Sequence, residues 1–456
     1  MILSAKIFFC YARQDKGLRD ELERHLANLK RLGQITSWHD QEIGAGKVWG
    51  HEIDSNLNTA DIILLLISPS FIHSDYCYSV EMKRALERHE AGEVYVIPII
   101  LRPVDWEKAL FSHLQFLPSV GRPITKWRNR DDAYVNIVNG IRKVVNSVHK
   151  DQWLTEGHLH YEVGRNEEAL AAYERALQLD PMDAMIHIYR SEVLYGLQLY
   201  NEAILASEQA IQLDPNNADG YLCLGKVLSR LNRHKEALVA YDQALQLDPN
   251  DTSIYVLKGE VLETLKNDNE ALAAYEQAIQ HDPNNGHAYV YRANALFTLD
   301  RYDEALTAYD QALEHSATKV FIYNQKGLVL TILDRYDEAL AAYDEALRLD
   351  PKNAHAYSGK GDVLEETQKY HEALRSYELA LLFDPSDILT WRGKGEVLHA
   401  LKRYEESLAA YEQALQLDPQ DSEAWYHRAR QAERLEIPEE AQQSYKKAQD
   451  FGYRDE

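Results

Sequence analysis

Seven prolines, Pro181, Pro215, Pro249, Pro283, Pro351, Pro385 and Pro419, stand on one 34-residue grid, and the grid point they skip is Ala317. A period of that length is not the mark of a chain wrapped around one central core. It marks a unit that repeats, each copy burying its apolar side against the next. Within a period the apolar residues show helical spacing twice, as in "AYVYRANALFTLD" followed by "RYDEALTAYDQALEH". Each unit therefore reads as two amphipathic helices.

This arrangement resembles the tetratricopeptide repeat. In that family's pattern a small residue lies where the two helices cross. The matching positions are Gly157, Ser191, Gly225, Gly259, Ala293, Gly327, Gly361, Gly395 and Ala429. The second helix supplies Ala169 and its equivalents, a tyrosine such as Tyr173, Tyr241, Tyr275, Tyr309 or Tyr343, and an alanine series from Ala176 to Ala448. Small residues let helices approach closely, and the aromatic ring fills the gap to the next unit. Nine units of 34 residues span 306, which equals 456 minus 150. The expected organisation is thus a first domain over 1–149 and an all-α superhelix of about nine repeats over 150–456, with no room for another domain. The final unit, rich in Arg, Gln and Lys, suits a terminal cap with a wet outer surface.

The resemblance implies a groove for a protein or peptide, with pure scaffolding as the alternative. The groove positions, as the family places them, carry Lys226, Glu260, Asn294, Phe297, Asn324, Leu328 and Glu396. They hold no run of Lys and Asn that would clamp a C-terminal carboxylate, so the partner is not legible. The unit around "LEHSATKVFIYNQKG" departs furthest from the pattern.

Charge narrows the partners further. Residues 1–150 hold 20 Lys and Arg against 18 Asp and Glu, a net of +2, which leaves 29 against 55, a net of −26, for the rest. The repeats would repel nucleic acid and anionic membrane. The longest apolar run, Ile62 to Ile67, is six residues, where a spanning helix needs about 20. The start of the chain lacks the pattern of a secretion signal. Cys10, Cys77 and Cys223 are odd in number and widely spaced, which fits reduced thiols and a cytoplasmic protein with no metal knuckle.

Residues 1–149 follow another rule. "KIFFCYA", "ADIILLLIS" and "VYVIPIIL" are short apolar runs separated by helical patterns such as "GLRDELERHLANLKRLG". Buried strands alternating with helices predict a parallel sheet covered on both faces. Ligands of such sheets gather at the carboxyl ends of the strands, here the loops after Tyr11 and Ser68. No flexible linker separates this domain from the repeats, so its last helix should dock directly on the array.

"GAGK" at 44–47 invites a phosphate-loop reading, but Gln41 replaces the first glycine and Val48 replaces the metal-binding Ser or Thr. A better match is the Toll/interleukin-1 receptor (TIR) domain. "FFCYARQD" resembles its first strand and following loop, "WHDQEIGAG" its BB loop, "LLLISPSFIHSDYCYSVE" its third strand and the helix bearing the glutamate of NAD-cleaving members, and "VIPIIL" its fourth strand. The resemblance implies a flavodoxin-like α/β sheet, NAD+ as substrate rather than cofactor, no metal, and self-association of TIR domains, with a setting in prokaryotic cell defence. A non-enzymatic adaptor built on TIR and repeat contacts is the second reading.

Glu81 is then the catalytic candidate. On an α-helix starting near Ser74, residues 77, 81 and 85 share a lane, so small Cys77 and Ala85 would leave space above the carboxylate. The plain alternative is an acid near a helix N-terminus. Substrate contacts fall, by the same resemblance, on Tyr11, Arg13, Trp38, Asp40, Gly46, Ser68, Ser74, Tyr76 and Cys77. Arg13 is equally read as solvated, Trp38 as core, Asp40 and Gly46 as shaping the loop, and Ser68 and Ser74 as helix caps. The family's usual aromatic lies four residues before the glutamate. That place holds Cys77 here, with Tyr76 five before.

Overall fold

A computed structural model of the chain describes residues 4–43, 48–119 and 121–454. It divides into two compact units, Met1–Val227 and Leu228–Glu456.

The first unit opens with a four-stranded sheet: β1 (Ala5–Tyr11), β2 (Ile35–Trp38), β3 (Ile62–Ile67) and β4 (Tyr95–Ile100). The strands are all parallel, in the order β2-β1-β3-β4, with Ile7 opposite Ile62 and Phe8 opposite Ile63. Strand periodicity sends alternate side chains to opposite faces. Ile7, Phe9, Leu64 and Ile99 pack on the layer of α1 (Lys16–His25), α2 (Ala27–Arg31) and the long helix over 130–162. Phe8, Cys10, Leu65 and Ile100 pack on the other layer, that of α3 (Trp49–Thr59), α4 (Pro69–His73) and α5 (Met82–Glu90). Both faces are dry, which is why β3 reads as an unbroken apolar run and is buried at every residue.

The junction is tighter than a docked helix. One continuous helix, α6 (Arg130–Glu162), serves both parts, so the expected boundary at 149/150 falls inside it. Its first half buries Tyr134, Ile137, Ile141 and Val145 against the sheet. Its second half carries Gly157, where an added Cβ would lie 2.5 Å from the Tyr173 ring of the following helix, Asn166–Leu179. Lys150 lies 3.0 Å from both Asp180 and Asp183, and the Tyr95 hydroxyl donates to Asp151 at 2.9 Å.

The remaining chain is the helix-pair solenoid the period predicts. In the second unit the pairs include Thr252–Thr264 with Asp268–His281, Ala354–Glu366 with Tyr370–Phe383, and Ile388–Ala400 with Tyr404–Leu417. Asp251, Asn285, Asn353, Asp387 and Asp421 cap the first helices by accepting backbone N–H groups. The unit without its grid proline also lacks that cap: Thr318 precedes the helix Lys319–Ile332, and its hydroxyl pairs with Ser316 at 2.8 Å instead. No helix among the described residues is long and apolar enough to cross a membrane.

Between the two helices of a pair the backbone turns left-handed, at Gly164 in the first pair and at a residue that is not glycine in the following ones. Gln198, Asn232, Lys266, Asp300, Asp334, Gln368, Lys402 and Glu436 have φ between 56° and 64°. The turn closes the helix end, as where Arg301 N–H reaches Leu296 O at 2.9 Å. A left-handed L-residue costs roughly 1–2 kcal/mol, so these positions persist because the packing on either side fixes them.

The crossing positions explain the small-residue series. A Cβ at Gly259 would meet the Tyr275 ring at 2.3 Å, and one at Gly361 would meet the Tyr377 ring at 2.5 Å. Both rings are buried and cannot swing away. Gly259→Ala is therefore expected to destabilise the full chain by about 1–3 kcal/mol, read as a lower denaturation midpoint. An unchanged midpoint would show that the helices separate freely.

Candidate functional site

The carboxyl ends of the strands form a cavity of about 390 Å³. Tyr11 closes β1, and Ala12, Arg13 and Gln14 follow it in the loop. Asp40 comes from the single turn after β2, Ser70 and His73 from α4, and Ser74, Tyr76, Cys77 and Glu81 from the segment that leads into α5.

That segment differs from the expected α-helix. Cys77–Glu81 is a π-helical turn, and the N–H of Met82 bonds to the carbonyl of Cys77, five residues back. A π-turn takes in one residue more than an α-turn and is frequent at functional sites. The consequence is a one-residue shift of the side-chain lanes: the residue five before Glu81, Tyr76, takes the lane that an α-helix would give to the residue four before. Tyr76, Cys77 and Glu81 all line the cavity.

The space that the small neighbours suggest is this cavity, which Glu81 lines, although one of its carboxylate oxygens is taken by a thiol. Glu81 is 6% exposed, and the Cys10 thiol donates to its Oε2 at 2.9 Å. Cys10 reaches it because strand alternation turns Phe8, Cys10 and Ala12 toward the layer that holds α5. Burial pushes the Glu81 carboxyl up to about 8, against the opposing pull of the Cys10 hydrogen bond. Burial likewise raises the Cys10 thiol, which stays protonated and able to donate. The Cys77 thiol is lowered to about 7, chiefly by hydrogen bonding with Cys10.

A second group closes the cavity. The buried Tyr11 hydroxyl donates to Asp40 Oδ1 at 2.6 Å, and burial with this bond raises its pKa. The Arg19 guanidinium lies 4.8 Å from the centre of the Tyr11 ring and is itself 1% exposed. Asp15, fully buried, accepts from Ser68 Oγ and pairs with Arg102 at 3.0 Å, tying together the loops that leave β1, β3 and β4.

Of the residues singled out in the sequence, Tyr11, Arg13, Asp40, Ser74, Tyr76, Cys77 and Glu81 converge on this cavity. Arg13 is exposed there, and the Ser74 hydroxyl accepts from Cys77 N–H at 3.3 Å. Trp38 and Ser68 lie outside the lining. Trp38 stacks on Phe8 with ring centres 5.4 Å apart, and Ser68 caps α4 by accepting from Phe71 N–H at 3.1 Å. Gly46 falls outside the described residues. Sequence reasoning missed Cys10 and Arg19. The period-2 pattern of "KIFFCY" was the available signal for Cys10, because it places the thiol on the α5 side.

Two other features compete for attention. A larger cavity, about 650 Å³, lies at the amino ends of β3 and β4 and is lined by Asp61, Tyr95 and α6 residues such as Asp151. It sits at the end of the parallel sheet opposite to where ligands gather. Glu23, His39 and Glu42 bring one ligand atom each within 4.8 Å of one another, although Glu23 already takes the Lys30 ammonium at 2.6 Å.

Comparison with known proteins agrees with this architecture. Residues 7–132 match the TIR domain model; tetratricopeptide models match 154–218, 354–387, and 327–368 with 395–430, and the TPR domain of cytochrome c-type biogenesis protein H matches 198–319. The chain thus carries a TIR domain followed by tetratricopeptide repeats. The uncharacterised protein y4lF of Sinorhizobium fredii is 51% identical over 142 residues, 31% of this chain and 44% of that protein. The 2' cyclic ADP-D-ribose synthase BtTIR of Bacteroides thetaiotaomicron is 28% identical over 137 residues, 29% of this chain and 44% of that protein. The chain therefore spans less than half the length of either relative. Among solved structures, the tetratricopeptide protein YrrB, titled as having an unusual peptide-binding site, is 26% identical, with a TM-score of 0.37 over 43% of this chain and 98% of that one.

The raised carboxyl of Glu81 makes a prediction about stability. The folded chain holds this proton up to about 8, whereas an ordinary glutamate carboxyl titrates at 4.5. The contribution is therefore complete below the lower value and is lost as pH rises through the upper one. Glu81→Gln, which cannot ionise, should gain on the wild type by up to about 1.4 kcal/mol per pH unit across that window. Chemical denaturation at about pH 5.5 and about pH 8 reads the gap; a gap that does not widen contradicts the buried carboxyl.

Proposed function

We propose that the TIR domain of this chain cleaves NAD+ at the bond between nicotinamide and ribose, with Glu81 as the catalytic carboxylate. The observation that carries this reading is one acid, buried beside a thiol donor, on the wall of a cavity at the carboxyl end of β1. The similarity to a relative named as a cyclic ADP-ribose synthase supports the same class of chemistry.

A single carboxylate suffices for this reaction. Glycosidases need a second acid because an alkoxide must be protonated as it leaves. Nicotinamide in NAD+ is already a cationic pyridinium; the C–N bond breaks with its electron pair going to the ring, which departs neutral. What remains is an electron-poor ribosyl centre, and a negative oxygen held in a dry pocket stabilises it strongly. Water then adds and loses a proton to give ADP-ribose, or the adenine attacks internally to give a cyclic product.

The neighbouring groups divide the remaining work. Cys10 positions Glu81 and favours its ionised form. Tyr76, brought forward by the π-turn, offers a ring face to the nicotinamide. Tyr11 and Asp40 form a bonded pair suited to ribose hydroxyls, and Arg13 is free to meet phosphate. The repeats recruit a partner that brings TIR domains together, a setting suited to cell-defence signalling. Self-association of TIR domains completes the site.

The deciding experiment is nicotinamide release by concentrated full-length protein. Glu81→Gln should lower the rate by at least about 100-fold (~2.7 kcal/mol), with the fold retained. Equal rates, including two zeros, would overturn the enzymatic reading and leave a scaffold. Tyr76→Ala is expected to cost about tenfold (~1.4 kcal/mol) in kcat/KM, with Tyr76→Phe close to wild type. If both variants match the wild type, the ring takes no part. Because Glu81 must be ionised, kcat/KM should climb as pH rises toward about 8; a profile flat from about pH 6 upward contradicts the assignment.

A further inference from the structure

The first helices of the repeats in the second unit present a graded row of side chains. At successive 34-residue steps the positions 260 and 263 become Glu260 and Glu263, Asn294 and Phe297, Leu328 and Thr331, Asp362 and Glu365, then Glu396 and His399. Acids stand at both ends and apolar residues lie between them. Leu328 is 36% exposed, so that middle is open to a ligand.

The tyrosines of the second helices reach this row from behind. The Tyr309 hydroxyl donates to Asn294 at 2.6 Å, and Tyr377 shares its one proton between Asp362 at 2.8 Å and Glu365 at 2.9 Å. Tyr275 and Tyr411 occupy the same place in their repeats, facing Glu260 and Glu396. Both are 0% exposed. The Tyr275 hydroxyl is engaged by Glu263, whereas the Tyr411 hydroxyl has no partner. Buried polar groups are normally satisfied, so the Tyr411 hydroxyl beside Glu396 marks a place where a ligand supplies the missing bond.

The acids are short of counter-charge as well. Burial, with repulsion from their acidic neighbours, raises Asp362 to about 6 and Glu365 to about 7, and burial raises Glu396 too. Among the described residues, none of the three makes an ion pair. Arg392, the cation that Glu396 senses, is paired with Asp421 and Glu423.

We propose that this face binds an extended basic segment of another protein, with lysine or arginine side chains at the two acidic stations and an apolar stretch over Phe297 and Leu328. The proposal rests on the reading of the repeats as a partner-binding array and adds the chemistry of the partner. An arriving ammonium or guanidinium supplies the charge that Asp362, Glu365 and Glu396 lack, and its N–H donors leave the Tyr377 proton to a single acceptor. The same arrangement rejects acidic segments.

The test uses full-length protein and a fluorescent peptide of about 16 residues, with Lys-Arg pairs at both ends of an Ala-Leu middle, at about 150 mM salt. An isomer of equal composition with its charges gathered in the centre, and a neutral Ala-Leu-Gln peptide, serve as controls. The end-charged peptide should bind at least about tenfold tighter than the isomer. The double variant Asp362→Asn/Glu365→Gln, which keeps nearly all of the acidic excess, should lose about tenfold while its denaturation midpoint stays at or above that of the wild type. Equal binding by the isomer, or by the double variant, would reduce the effect to diffuse attraction and overturn the proposal. Saturable binding of the neutral peptide with wild-type affinity would overturn the basic class while leaving the array a partner-binding surface. No saturable binding of any peptide would remove both.

Discussion

A carboxylate kept out of water beside a thiol is the constraint around which the TIR domain is arranged. Glu81 stays buried because Cys10 arrives from β1 on the correct face and donates at 2.9 Å. An unpaired charge in that place would be costly, so the group responds by holding its proton to about 8. The thiol is a weak donor, which leaves the acid poised rather than quenched; a strong cation there would pin it in the ionised state and compete with a cationic substrate. The π-turn, the Asp15 network and the Tyr11–Asp40 bond all hold the cavity walls in register around that group.

The repeats solve a different problem with equally few parts. Most pairs of helices close on a small residue against a buried tyrosine, as at Gly259 and Gly361, with Ser207 in that place against Ser191; in several the same tyrosine carries its hydroxyl through to the first-helix face. Packing and recognition are therefore coupled by one side chain. Where the hydroxyl reaches an acceptor, as at Asn294 or Asp362, it is satisfied; at Tyr411 it is not. Left-handed turns at residues such as Lys266 and Asp300 show how much strain the packing tolerates to keep the period.

Much of the architecture was legible because it rests on periodicity. The 34-residue grid predicted helix pairs, and the alternating apolar runs predicted a parallel sheet with both faces covered. The candidate site was legible in part. Glu81, Tyr11, Asp40, Tyr76 and Cys77 were each named from motifs, and all line one cavity. Trp38 and Ser68 follow their alternative readings, core and helix cap; a strand-end aromatic and a serine before proline read the same along the chain whether they face a ligand or a core. The continuous α6 was hidden because its two halves are amphipathic toward different neighbours, and together they give no single stripe.

The sequence by itself determined the repeat length, the strand–helix alternation, the charge asymmetry and the identity of one acid, because each is a property of local order along the chain. Only the tertiary structure decided that Cys10, seventy-one residues away, touches that acid, and that the turn leading to Glu81 is π-helical, so that Tyr76 as well as Cys77 lines its cavity. Contacts between distant strands and a hydrogen bond that closes one residue late depend on how the layers meet. No pattern of neighbours along the chain records that meeting.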